Sequence, residues 1–292
     1  MDVPAYAAPA TIEDALRLKK KAGAGARIIA GGTDLILKMR DQVFSPTLLI
    51  DLQNVSLNTI ARATDHVGIG ASVTLSGLLN SDDINDLYPA LVQACREFAG
   101  PPIRNRGTIG GNIVNASPAA DLVPPLMVYD ACVVLTSSGN ARKVALADFF
   151  EGPGQTVLAP DEILTEVRLA RMPADTSATF IKLGQRRSMA ISMVSVATRL
   201  TLDDNGSISA ARIVLGSVAP TPIHARTAEK TLEGNAPSDD LLRHAATVAG
   251  NEATPISDVR ASEAYRSDMT EVLVRRALLA NLAGLRKSMS SD

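Results

Sequence analysis

The sequence predicts an α+β fold in two domains, and three observations carry that reading. Its 292 residues are 46% hydrophobic, more than a single small core uses. Up to Leu169, short apolar runs bounded by glycine interleave with helix-spaced apolar stripes. Beyond a break at Arg171-Met172-Pro173-Ala174-Asp175, a strand hairpin is followed by two longer helical patterns, so the break is the best domain boundary.

The elements follow in order. Thr11-Ile12-Glu13-Asp14 reads as a capping-box variant opening a first helix, with Ile12, Ala15 and Leu16 as its apolar stripe and Gly23 and Gly25 as its end. Arg27-Ile28-Ile29-Ala30 is a short strand, Gly31-Gly32 a sharp turn, and Thr33-Asp34 an N-cap for a helix from Leu35 to Arg40. Thr47 to Ile50 and Val67 to Ala71 are strands. Tyr88, Leu91, Val92, Cys95, Phe98 and Ala99 recur at helical spacing until Gly100-Pro101-Pro102 stops the helix. The stretch from Pro101 to Pro125 reads as a long irregular loop, a length that in a compact domain points to function. Val133 to Thr136 and Lys143 to Leu146 form a hairpin, and Ile163 to Leu169 a further strand. In the second domain, Val194 to Leu202 and Ile208 to Leu215 flank the turn Asp203-Asp204-Asn205-Gly206, and helices are expected over Asp239 to Val248 and Ser262 to Leu285.

Composition excludes several function classes. The 29 Lys+Arg and 31 Asp+Glu are nearly balanced and form no long block of one sign, and with 3% aromatics and no Trp neither a polyanion-binding face nor a base-stacking platform is supplied. A nucleic-acid partner is therefore not expected. Cys95 and Cys132 lack CxxC spacing, so iron–sulfur clusters or thiolate zinc belong elsewhere, and His66, His224 and His244 show no metal-ligand spacing. The start Met1-Asp2-Val3-Pro4-Ala5 has no basic region leading an apolar run, and no apolar stretch of about 18 residues occurs. These features predict a soluble, cytoplasmic protein without membrane insertion.

Two glycine pairs carry the chemistry: Ala30-Gly31-Gly32-Thr33-Asp34 and Thr108-Ile109-Gly110-Gly111-Asn112. Glycine has no Cβ and tolerates positive φ, so consecutive N–H groups can converge on one anion, and a following helix N-terminus adds a favourable dipole. One pair alone would be read as a plain turn; two in this context suit a diphosphate held without lysine. The Asp34 carboxylate would repel such a ligand if it faced it, so capping its own helix is its expected task. Val67-Gly68-Ile69-Gly70-Ala71-Ser72 lacks the third glycine and the closing acidic residue of a dinucleotide-binding βαβ unit, and no GKS or GKT phosphate loop exists.

Ordered segments then give a resemblance. They are Ile28-Ile29-Ala30-Gly31-Gly32-Thr33-Asp34-Leu35; Ile69-Gly70-Ala71-Ser72-Val73-Thr74; Phe98-Ala99-Gly100 leading to Thr108-Ile109-Gly110-Gly111-Asn112; Ser117-Pro118-Ala119-Ala120-Asp121-Leu122; Asp161-Glu162-Ile163-Leu164; and Ser257-Asp258-Val259-Arg260-Ala261-Ser262 with Tyr265-Arg266. In this order and spacing they resemble the FAD-binding middle subunits of molybdenum hydroxylases, a family that includes carbon monoxide dehydrogenase, hydroxybenzoyl-coenzyme A reductase and the central part of xanthine dehydrogenase. The resemblance covers nearly the whole chain. Thr33-Asp34 after the glycines departs from the carbon monoxide dehydrogenase pattern, and the cysteine-bearing insertion of hydroxybenzoyl-coenzyme A reductase is lacking.

The resemblance implies a two-part FAD-binding domain of the xanthine dehydrogenase/vanillyl-alcohol oxidase type over residues 1–174, divided near 54, and a smaller C-terminal α+β domain over 175–292. It implies that Ile28 to Leu35 and Thr108 to Asn112 embrace the FAD diphosphate, that Phe98 and Leu164 flank the adenine, and that Asp121 and Lys182 are polar FAD contacts. Read from the residues alone, Phe98 and Leu164 suit a protein core equally and Lys182 a solvated surface. Gln185 to Ile191 falls at a loop near the flavin ring, where Arg186 and Arg187 either hold an acidic group or are solvated. The partners implied are an iron–sulfur small subunit and a molybdopterin large subunit, as a dimer of heterotrimers, with FAD here passing electrons from the clusters to an external acceptor. The alternatives are a stand-alone flavin oxidoreductase, which would need its own general base, and an assembly subunit without flavin, against which both intact glycine pairs argue.

Overall fold

The computed structural model describes residues 3–186 and 189–289. The chain begins with a three-stranded parallel sheet of β1 (Ala5–Ala7), β2 (Ala26–Ile29) and β3 (Leu48–Asp51) in the order β1-β3-β2. Between β1 and β2 runs α1 (Ile12–Ala22), where the Thr11 hydroxyl accepts the Asp14 N–H at 3.1 Å. Glu13 and Asp14 occupy its first turn and Lys19, Lys20 and Lys21 its last, signs that suit the helix dipole. The helix buries Ala15 and Leu16 in a small core with Ile50, Leu52 and Val55. From β2 the chain turns at Gly31-Gly32 into α2 (Leu35–Arg40).

Next come β4 (Ile60–Arg62), β5 (His66–Gly70), β6 (Cys132–Ser137), β7 (Asn140–Ala145), the small hairpin β8 (Phe150–Gly152) with β9 (Gln155–Thr156), and β10 (Ile163–Ala170). Apart from that hairpin they form one antiparallel sheet in the order β4-β5-β10-β6-β7. β5 thus lies in an antiparallel ladder, which agrees with rejecting a βαβ nucleotide fold there. Six short helices lie between β5 and β6: α3 (Leu75–Leu79), α4 (Asp82–Leu87), α5 (Pro89–Glu97), α6 (Pro101–Arg104), α7 (Ile109–Val114) and α8 (Val123–Val128). Two buried tyrosines tie them to the sheet. The Tyr88 and Tyr129 rings meet edge to face at 5.0 Å, the Tyr88 hydroxyl donates to the Leu169 and Ala170 carbonyls, and the Tyr129 hydroxyl accepts the Ala90 N–H.

One expectation fails here. The stretch from Pro101 to Pro125 is not an irregular loop, since α6, α7 and the start of α8 occupy much of it. Four of its five prolines sit in the first turns of α6 and α8, where a missing N–H costs nothing, and the Thr108 hydroxyl caps α7 by accepting the Gly111 N–H.

The last layer is an antiparallel meander of β11 (Thr176–Gly184), β12 (Ser192–Leu202), β13 (Ile208–Gly216) and β14 (Ile223–His224), followed by α9 (Arg226–Leu232), α10 (Asp239–Glu252) and α11 (Glu263–Met289). At the β12–β13 turn the Asp203 carboxylate accepts the Asn205 and Ser207 N–H groups, and Gly206 takes φ +78°. β12 is buried over all but its last residue because both faces are covered. Val194, Val196 and Leu200 enter a core with α10 and α11, whereas Ala197, with Phe180 and Val214, joins the core beneath the five-stranded sheet. At the same junction Asp130 accepts Arg199 at 2.9 Å and Arg212 at 3.2 Å. The Asp258 to Arg266 motif is a clamp: buried Arg266 donates to the Met193 and Ser217 carbonyls and to Asp258, whose carboxylate also accepts the Arg260 and Ala261 N–H groups. These bonds, with backbone donors foremost, hold the Asp258 carboxyl well below the usual range.

Candidate functional site

A cleft of about 350 Å³ opens where the two glycine segments meet. It is lined by Ile28 to Leu35, by Thr108, Gly110, Gly111 and Asn112, and by Phe98 and Leu164. Fourteen of the seventeen sequence-predicted residues therefore share one concavity. The remaining three do not line it: Ile109 turns its side chain into the core, and Asp121 and Lys182 face each other in a buried pair.

The two segments differ in what they offer a ligand. In the first, the earliest intrahelical bond of α2 runs from the Ile36 N–H to the Gly32 carbonyl at 3.2 Å. The N–H groups of Thr33, Asp34 and Leu35 thus precede the helical ladder, and among the described residues they have no acceptor within the chain. Gly32, at φ +74°, makes the turn that presents them. In the second, the Gly110 N–H donates to the Ala71 carbonyl at 2.9 Å and the Gly111 N–H to the Thr108 hydroxyl at 3.1 Å. Neither Gly110 nor Gly111 has positive φ, because both lie inside α7. The expectation of two matching amide cradles is corrected accordingly: the second segment contributes close backbone approach, and the amides from Ile109 to Asn112 are already engaged.

Asp34 departs from its expected task as well. Its side chain makes no cap bond to α2; its Oδ1 accepts Asn115 Nδ2 at 3.4 Å, and Asn115 Oδ1 accepts Lys38 Nζ at 2.5 Å. This bridge ties the start of α2 to the end of α7 across the cleft. Lys38 and Arg27 also lie over the Phe44 ring, at 5.5 and 5.0 Å. Lys19, Arg27 and Lys38 line the cleft against Asp34 and Glu162. Glu162 is already held by Arg142 at 2.6 and 2.9 Å, and those bonds keep its carboxyl below the ordinary value despite burial. The cleft is therefore biased towards an anion.

Lys38, Asn115, Ser72 and Arg27 are not among the residues expected at the site from the sequence, although a periodic signal exists for two of them. Lys38 stands one helical turn beyond Asp34, and Asn115 one turn beyond Asn112. Ser72 Oγ and Asn112 Oδ1 are buried on the cleft and have no hydrogen-bond partner among the described residues. Such atoms call for a ligand bearing hydroxyl or amino groups, so a dinucleotide with phosphates, ribose and adenine suits the donor set.

Phe98 is half-buried at the end of α5, while Leu164, 4% exposed, belongs chiefly to the core and shows the cleft only an edge. Asp121, 5% exposed, accepts Lys182 Nζ at 2.5 Å and also the Ser192 hydroxyl. Burial pushes the Asp121 carboxyl up, against the opposing pull of Lys182 and Ser192. The pair joins the segment after α7 to β11 and β12. Arg186 donates to the Met189 carbonyl at 2.7 Å and does not line the cleft, and Arg187 lies outside the described residues. Among the described residues no cluster of His, Cys, Asp and Glu suits a metal ion, and no helix is long and apolar enough to cross a membrane.

Comparison with known proteins gives two family matches. Residues 2–172 match the FAD binding domain in molybdopterin dehydrogenase, and residues 179–281 the CO dehydrogenase flavoprotein C-terminal domain. The nicotinate dehydrogenase FAD-subunit of Eubacterium barkeri is 32% identical over 93% of this chain and 93% of its own length. The carbon monoxide dehydrogenase medium chain of Afipia carboxidovorans is 34% identical over 94% of each. A solved chain of carbon monoxide dehydrogenase from Hydrogenophaga pseudoflava superposes with a TM-score of 0.93 at 31% identity, covering 97% of this chain and 98% of that one.

Proposed function

Since the chain belongs to the family of FAD-binding medium subunits of molybdenum hydroxylases, we propose that it is the electron-transfer subunit of such a complex, set between an iron–sulfur small subunit and an external acceptor. In this reading a molybdopterin large subunit oxidises the organic substrate, and the assembly is a dimer of heterotrimers. Bound FAD supplies the electron-accepting chemistry that no side chain here can provide.

The task of this chain's residues is to bind and orient. The amides of Thr33, Asp34 and Leu35 face the diphosphate, and Lys38, held by Asn115, adds positive charge beside them. Asn112 and Ser72 pair with hydroxyl or amino groups of the ligand, and Phe98 covers the adenine with Leu164 at its edge. The Asp121–Lys182 pair supports the site from the domain junction. The observation that carries the reading is the row of unengaged amides at Thr33, Asp34 and Leu35, in a cleft whose lining residues Ser72 and Asn112 also hold buried, unpartnered polar atoms.

Titrating the flavin-stripped full chain with FAD and with FMN tests it. FAD is expected to bind tightly and FMN, which lacks the adenylate half, far more weakly; equal affinity, or no binding of FAD, overturns the assignment of this cleft. The isolated chain is expected to oxidise none of the organic substrates of its complex.

A further inference from the structure

Helix α5 ends in a turn that its own backbone disfavours. Phe98 leaves the helix in an extended conformation and Ala99 follows at φ +41°, in the left-handed region where a β-carbon is strained. One side chain gathers the carbonyls that this turn leaves exposed: Arg104 Nη1 donates to the Phe98 carbonyl at 3.0 Å, the Ala99 carbonyl at 3.2 Å and the Arg96 carbonyl at 3.4 Å. Arg104 comes from the last turn of α6, two residues before Arg106, whose carbonyl abuts Gly31, and three before Gly107, whose carbonyl accepts the Leu75 N–H. The guanidinium thus registers the end of α5 against the backbone that seats both glycine segments. Arg104 itself does not line the cleft, whereas Phe98 does.

We infer that Arg104 is a positioning residue for ligand binding: it fixes the strained Phe98-Ala99 turn and thereby aims the Phe98 ring at the bound purine. This rests on the assignment of the cleft to FAD. A plain structural role for Arg104, as a helix cap, would lower stability without coupling FAD affinity to Phe98.

The test is a double-mutant cycle on the full chain stripped of flavin, reading FAD dissociation constants and urea midpoints for the wild type, Phe98→Ala, Arg104→Ala and the double variant. Phe98→Ala is expected to weaken FAD binding about ten- to hundredfold, the range spanned by a lost aromatic–base stack. Arg104→Ala is expected to weaken it about tenfold in the wild-type background and less than about twofold when Phe98 is already alanine. Ala99→Gly, which accepts the left-handed turn without strain, is expected to restore much of the lost affinity to Arg104→Ala and also provides a folded chain should Arg104→Ala alone not fold. Equal factors in both backgrounds, an unchanged affinity in Arg104→Ala, or no rescue by Ala99→Gly overturns the inference while leaving the cleft assignment intact. Failure of Phe98→Ala to alter FAD binding overturns the adenine assignment itself.

Discussion

The α-carbon of Gly31 faces the carbonyl oxygen of Arg106 so closely that a β-carbon there would lie 2.0 Å from it. The first glycine segment is seated directly on the approach to the second, and their contact is backbone against backbone. Gly31→Ala is therefore expected to destabilise the flavin-free chain by about 1–3 kcal/mol or more, the cost of forcing an extra methyl into packed structure. At Gly111 the new β-carbon meets only the Thr108 hydroxyl, at 2.9 Å. Gly111→Ala should stay within about 1 kcal/mol of the wild type, since alanine favours the helix while the cap weakens. Urea unfolding of both flavin-free variants checks the pair, and equal midpoints would contradict the packing account.

Phe98 and Leu164 separate ligand contact from core. Leu164 is buried in the main core, so Leu164→Ala should cost the flavin-free chain about 2–5 kcal/mol. Phe98, half-buried, should cost the flavin-free chain much less as alanine and act mainly on FAD affinity, by roughly 1–3 kcal/mol. A large loss of flavin-free stability in Phe98→Ala, with unchanged affinity, would return Phe98 to the core.

The Asp121–Lys182 pair lies at the junction between the segment after α7 and β11. Removing one partner leaves an uncompensated buried charge, so Lys182→Met should cost about 3–5 kcal/mol, while Asp121→Asn with Lys182→Met should recover part of that loss. Thermal or urea unfolding of the single and double variants measures the coupling; strict additivity would contradict it.

Glu229 gives a pH dependence. Burial pushes its carboxyl up, but hydrogen bonds from His224 and the Ile213 N–H, with the charge of Arg226, outweigh burial and hold it below the ordinary value. A carboxylate lowered on folding stabilises the native state above its unfolded pKa of about 4.3, and that contribution is lost as pH falls through the folded value. The stability difference between the wild type and Glu229→Gln should shrink as pH falls below about 4.3. A difference that grows on acidification below that pH would reverse the assignment.

Much of this was legible in the sequence because local signals agreed with the fold. The Thr11 cap, the turns at Gly31-Gly32 and at Asp203 to Gly206, and the helix at Asp239, capped by the Ser238 hydroxyl, follow from capping and turn chemistry confined to a few residues. β11 was not legible: its burial depends on a second layer contributed by α11 and on a domain face that local periodicity does not encode. The helices within Pro101 to Pro125 were hidden by glycine and proline that serve there as packing and first-turn residues. At the site, the glycine pairs marked the cleft, but which pair keeps its amides unengaged depends on Ala71 and Thr108, and the bridge from Lys38 through Asn115 to Asp34 depends on tertiary contact.

The central claim is that FAD travels with this chain, non-covalently, while metals travel with its partners. The most direct measurement isolates the native complex, separates its subunits under mild chaotrope and assays each for flavin, iron and molybdenum, with acid precipitation of the flavin-bearing fraction. The account predicts flavin with this chain, iron and molybdenum with the others, and intact FAD in the acid supernatant. A flavin-free chain, metal that stays with it, or flavin that precipitates with the polypeptide would contradict it.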